Sequence, residues 1–185
     1  MSKINVAVFI GSNRKESYSK KLALALKNLS PKDLNLSIID INDLIIYNQD
    51  LEDENKEPQP WLKLRETIRK HDAVLFITPE YNRSIPPVLK NALDIGSRPY
   101  GQNAWDKKPG AVISISPGGM GGFGANHQLR QVLACLNVPV MAQPEAYIGN
   151  IYALFDEDGS LKNERTSTYL SAFMVAFLKW IQANL

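Results

Sequence analysis

Five short runs rich in valine, isoleucine and leucine recur along this chain, and a stretch with helical character lies between each pair. The runs cover residues 4–10, 34–41, 73–78, 111–116 and 138–148, the last interrupted by proline. Near-continuous apolar runs of this length suit strands buried on both faces. Between the first two, Leu22, Ala25, Leu26 and Leu29 recur at helical spacing, with Ser17 or Ser19 as candidate N-cap. Residues 58–71 form a second predicted helix. Pro86-Pro87 opens a third, where proline is tolerated in the first turn. A fourth spans residues 126–136. The last presents Leu170, Phe173, Met174, Phe177, Leu178 and Ile181 as one apolar stripe. Strands alternating with helices predict an α/β fold, a parallel sheet covered on both faces with right-handed crossovers.

The commonest five-stranded solution is a flavodoxin-like doubly wound sheet in the order 2-1-3-4-5. Its ligand sits beyond the C-terminal strand ends, between strands 1 and 3. Three loops leave those ends: 11–19, 78–85 and 116–124. A length of 185 residues fits one such domain, over 1–185. The formal net charge of +2 gives no general support for nucleic-acid or anionic-membrane binding. No apolar stretch reaches the ~18 residues of a membrane span, and no targeting segment is visible. The single cysteine, Cys135, excludes an intrachain disulfide and a Cys-rich zinc site, and suits a reducing cytoplasm. Grouped with Leu129, Val132 and Leu136 on its helix, it is expected to be buried. His71 and His127 lack ligand-spaced partners, so no metal site is expected. The charge-rich stretch 48–60 reads as a solvated surface loop. Asp94 and Arg98, at i and i+4, are spaced for a helix-surface ion pair.

The first loop, GSNRKESYS, follows strand 1 and opens a helix. Ser12, Ser17 and Ser19 supply hydroxyls, Arg14 a charged fork, and the helix start free N–H groups, a combination that can hold a terminal phosphate. Plain helix capping is the other reading of the same serines. A Walker loop is not matched, since Glu16 and Ser17 stand where Gly and Lys belong. The second loop, within TPEYNRSIPPVLKNALDIGSRP, is aromatic and proline-stiffened, which suits packing against a flat ring; a plain strand-to-helix turn with Tyr81 over the core is the alternative.

These two motifs, with KPGAVISISPGG, GANHQLRQVL and PVMAQPEAYI, resemble the NADPH-dependent FMN reductase family of flavodoxin-like enzymes, which includes quinone, azo-dye and chromate reductases. The resemblance implies FMN as cofactor and NAD(P)H as electron donor. Ser12, Arg14, Ser17, Tyr18 and Ser19 resemble the family's phosphate-holding residues. Pro79, Glu80, Tyr81, Asn82 and Arg83 resemble the loop along the isoalloxazine, and Ser116, Gly118 and Gly119 its third wall. Position 19 is more often Asn and position 95 more often Trp in that family; here they are Ser19 and Ile95. The implied activity carries hydride from NAD(P)H to FMN and then reduces a quinone, free flavin, azo compound or chromate. Tyr81 and Asn82 are the residues expected to shape the acceptor pocket. The implied assembly is a cytoplasmic homodimer or dimer of dimers. An electron carrier of flavodoxin type, without NAD(P)H turnover, is the other-class reading; such carriers are typically strongly acidic, unlike this chain.

A rival signal lies in the third loop. Residues 119–124, GMGGFG, match GxGxxG before a helix, with Glu145 about twenty residues on, which is the pattern of a dinucleotide fingerprint. Pro117 separates the strand from the glycines, and too little chain follows for the rest of a dinucleotide half-sheet.

Overall fold

A computed structural model describes residues 3–157 and 159–185, so residues 1, 2 and 158 of the span expected as one domain lie outside it. Five parallel strands, β1 (Ile4–Ile10), β2 (Leu34–Ile39), β3 (Ala73–Pro79), β4 (Gly110–Ile115) and β5 (Ala146–Ile148), form a sheet in the order β2-β1-β3-β4-β5. The helices are α1 (Tyr18–Leu29), α2 (Gln49–Asp53), α3 (Gln59–Lys70), α4 (Pro87–Gly96), α5 (Phe123–Cys135) and α6 (Glu164–Asn184). This is the flavodoxin-like order expected from the sequence.

Alternate residues of each central strand feed two cores. Val6, Val8, Leu75 and Ile113 meet Leu22 and Leu26 of α1 and Phe173 and Phe177 of α6. On the other face, Ala7, Phe9, Phe76 and Val112 meet Trp61 of α3, Leu89 of α4 and Leu129 of α5. Trp105 closes that second core edge-on to Phe9, with ring centroids 5.0 Å apart. Both faces being buried explains why the strands read as unbroken apolar runs.

Four local expectations are corrected. Residues 138–148 hold a three-residue strand plus an isolated bridge from Val140 to Gly110, because Pro139 and Pro144 lack the N–H that a ladder needs. The stretch 48–60 contains α2, and its Glu52 side chain is only 6% exposed, paired with Arg65 and Arg98. Arg98 therefore meets Glu52 at 3.3 Å, while Asp94 pairs with Lys90 at 2.7 Å instead. Cys135 is exposed, not buried. The inward face of α5 runs through Ala125, Leu129 and Leu133. Two residues beyond Leu133 is about 200° around a helix, which turns Cys135 outward.

Candidate active site

The three loops converge at the C-terminal ends of β1, β3 and β4. Gly11 N–H donates to the Ile77 carbonyl at 2.9 Å, holding the first loop against the end of β3. A cleft opens there, lined by Ser12, Arg14, Ser17, Tyr18 and Ser19 from the first loop and the start of α1, by Pro79, Glu80 and Tyr81 from the second, and by Ser116 from the third. Ile115, Pro117, Ile151 and Tyr152 complete the lining.

Ser17 is the N-cap of α1, its Oγ accepting from Lys20 N–H at 3.3 Å. The first-turn amides of α1 have no intrahelical acceptors, and its first turn carries no acid. Ser19 is 1% exposed, yet its Oγ has no hydrogen-bond partner among the described residues. A buried hydroxyl left without a partner is costly and marks a place for an outside acceptor. Arg14 is exposed and makes no ion pair among the described residues. The capping reading thus falls on Ser17, while the Ser19 hydroxyl has no partner among the described residues and is left for another role.

The second loop is a tight turn. Tyr81 and Ser84 exchange backbone hydrogen bonds at 3.0 Å each way, with Asn82 and Arg83 between them at φ 52° and 65°. Two consecutive left-handed residues match the type I′ turn. Tyr81 enters the cleft lining; Asn82 and Arg83 are exposed and do not. The Glu80 side chain, 12% exposed, accepts from Ala125 N–H of α5 at 3.0 Å and meets Arg83 at 3.4 Å.

In the third loop, Ser116 Oγ donates to the Gly118 carbonyl at 2.8 Å. Gly118 and Gly119 lie outside the cleft lining, with open space where a Cβ would stand. Ser114 Oγ donates to the Gly121 carbonyl at 2.7 Å. Gly121, at φ 60°, packs so closely on the backbone of Tyr147 that a Cβ would come within 2.5 Å of it. Of the GxGxxG glycines, Gly121 serves close packing against β5 and Gly124 leaves room for Glu80, while Gly119 has open space beside it, and the helix start they lead to donates to Glu80. Glu145 lies beside Tyr147 and Tyr169; burial first, then the hydrogen bond and charge of Glu145, push the Tyr147 hydroxyl up to about 12. His127 Nε2 lies 3.0 Å from that hydroxyl, and His71 Nδ1 lies 2.7 Å from the Thr67 carbonyl, so the two histidines serve separate local contacts.

Residues 4–153 match the NADPH-dependent FMN reductases. The chain belongs to that family. Among relatives of this FMN reductase, a quinone reductase of Pseudomonas putida is 55% identical over 180 residues, covering 97% of this chain and 96% of its own. A 2-hydroxy-1,4-benzoquinone reductase of Burkholderia sp is 41% identical, with 97% of both chains covered. The solved flavoenzyme NAD(P)H:(acceptor) oxidoreductase FerB of Paracoccus denitrificans superimposes with a TM-score of 0.91 at 43% identity, over 98% of each chain. The FMN reductase is thus an oxidoreductase that uses FMN as cofactor and NAD(P)H as electron donor. The orphaned Ser19 hydroxyl and the acid-free start of α1 fit the phosphate of that cofactor. Ile151 and Tyr152 of the lining lie in a single 3-10 turn, Ile151–Ala153, with no periodicity to give them away. The apolar runs ending in Ile115-Ser116-Pro117 were the one available signal for the rest.

Proposed function

We propose that this protein is a quinone reductase. The observation that carries the reading is one cleft, at the switch point of the sheet, joining an arginine and a buried hydroxyl that have no partner among the described residues to an aromatic turn. Ser12, Arg14, Ser17, Tyr18 and Ser19 hold the FMN phosphate. Pro79, Glu80 and Tyr81 form the loop beside the ring, with Asn82 and Arg83 on the exposed turn that continues it, and Ser116 forms the third wall, with Gly118 and Gly119 behind it outside the lining. FMN, when bound, supplies the hydride and electron transfer from NAD(P)H to the acceptor. The chain's own part is to bind, orient and exclude water; Tyr81 shapes the space for the acceptor from within the cleft lining, and Asn82, exposed beside it on the same turn, is assigned an acceptor contact outside that lining. The names of the Pseudomonas and Burkholderia relatives favour quinones over free flavin, azo compounds or chromate.

Residues 1–185 act as one domain. A cytoplasmic location suits a chain with one exposed thiol in which no described helix is long and apolar enough to cross a membrane. Assembly as a homodimer or dimer of dimers suits the exposed Ile45 and Ile46, adjacent on the loop before α2. Steady-state turnover with NADH and NADPH against quinones, flavins, an azo dye and chromate tests the activity. A quinone preference of at least about tenfold in kcat/KM, roughly 1.4 kcal/mol, supports the reading. No NAD(P)H turnover by flavin-loaded protein would return it to the electron-carrier class.

A further inference from the structure

We propose that Glu80 is a positioning residue that ties two walls of the cleft together by capping α5 from a distance. The proposal rests on the flavin-site reading of the cleft and assigns the Glu80 carboxylate a role exerted through α5 rather than on the flavin.

The start of α5 lacks the usual devices. Its N-cap, Gly122, sits at φ 75° with no side-chain cap, and no acid occupies the first turn. The Glu80 carboxylate, 45 positions earlier, takes that place through Ala125 N–H at 3.0 Å. A carboxylate at a helix N-terminus satisfies an orphan amide and complements the helix dipole. Ala125 is fully buried, so the amide has no ready replacement in water. Gly124 makes the approach possible. A Cβ there would stand 2.9 Å from Glu80 Oε2 and 3.0 Å from the Arg83 carbonyl oxygen, both inside normal contact.

The link runs onward at both ends. The peptide after Glu80 enters the Tyr81–Ser84 turn, closed on itself by two backbone hydrogen bonds. At the other end, Asn126 of α5 donates to Ser114 Oγ at 3.1 Å, and Ser114 holds the glycine loop through the Gly121 carbonyl. The aromatic turn and the glycine wall thus share one anchor, the start of α5. That helix start, the place a pyrophosphate would use in a dinucleotide fold, is consumed internally.

Amide hydrogen exchange on the apoprotein, together with FMN titration, tests the proposal in Glu80→Ala, Glu80→Gln and Gly124→Ala. The glutamine carbonyl can accept the same bond from Ala125. Expected is exchange at Ala125, Tyr81 and Ser84 faster by roughly tenfold or more in the alanine variants, with strand amides still protected, since the cap controls a local opening. FMN affinity should fall in parallel by about tenfold, and Glu80→Gln should recover most of both. Unchanged exchange at Tyr81 and Ser84 in Glu80→Ala overturns the proposal. So does a glutamine variant as impaired in FMN binding as the alanine one, which would mean that the charge acts on the flavin directly. If the unaltered protein took up no FMN, the flavin reading would fail while the exchange result still judged the cap.

Discussion

Arg14 and Ser19 carry opposite kinds of evidence for the same ligand. Among the described residues, Arg14 is a charge without an ion-pair partner in the lining of the cleft, whereas Ser19 is a buried hydroxyl without a hydrogen-bond partner. A hydrogen bond to a charged group contributes about 1.5–3 kcal/mol, and each 1.4 kcal/mol is about tenfold. Arg14→Ala should therefore weaken FMN binding roughly 10- to 100-fold, read by fluorescence titration, with the melting temperature of the apoprotein unchanged. An unaltered affinity would return Arg14 to a solvated surface role. Cys135 makes the contrasting case. Exposed on the outer face of α5, it packs into neither core. Cys135→Ser should change stability by less than about 0.5 kcal/mol, as surface substitutions do, and should leave turnover intact. A collapse of activity in folded, flavin-loaded protein would reveal a redox role for the thiol.

At the scale of single elements, α2 is the instructive one. Glu52, with its side chain 6% exposed, accepts from Tyr47 Oη at 3.2 Å and pairs with both Arg65 and Arg98. Arg65, 3% exposed, also donates to the Ile95 carbonyl at 3.0 Å, so the network joins α2 and α3 to the end of α4. Without Glu52, Arg65 keeps Glu57 at 3.5 Å and the Ile95 carbonyl, and Arg98 is partly exposed, so neither charge is fully stranded. Glu52→Ala should therefore lose about 1.5–3 kcal/mol in urea denaturation, the scale of a hydrogen bond to a charged group; a loss below about 1 kcal/mol would mean that water reaches the arginines freely. None of this was legible in the sequence. NQDLEDENKEPQP reads as solvated because composition reports charge and says nothing of partners 13 and 46 positions away. The strands were legible, since burial on both faces leaves a continuous apolar signature in runs such as 73–78. The first two walls of the cleft were legible as well, since Ser17 and Pro79 stand at strand–helix junctions with recognisable chemistry. Tyr152 and Ile151 were not, because they reach the cleft through a lone turn. Nor was the outward turn of Cys135, which depends on the phase of α5 to within one residue.

For the molecule as a whole, the sheet order decides how two substrates can be handled. A doubly wound sheet has one switch point, here between β1 and β3, and the three loops that leave its C-terminal edge build one cleft. The other candidate for a nucleotide, the GxGxxG loop, is engaged within the fold at two points: Gly121 packs on Tyr147, and the start of α5 donates to Glu80. Electron donor and acceptor must then use the same cleft in turn, so the oxidised nucleotide leaves before the acceptor enters. The expected result is ping-pong kinetics, with parallel double-reciprocal lines for NAD(P)H against a quinone, and inhibition by each substrate at high concentration as it occupies the cleft out of turn. Glu145→Ala tests the same point from the other side. Its carboxylate acts on Tyr147 and Tyr169, away from the cleft lining, so the variant should leave the KM for NAD(P)H within about twofold, well under the tenfold that 1.4 kcal/mol represents. Intersecting lines combined with a large rise in that KM would give the nucleotide a site of its own beside the glycine loop, and the shared-cleft order of events would be wrong.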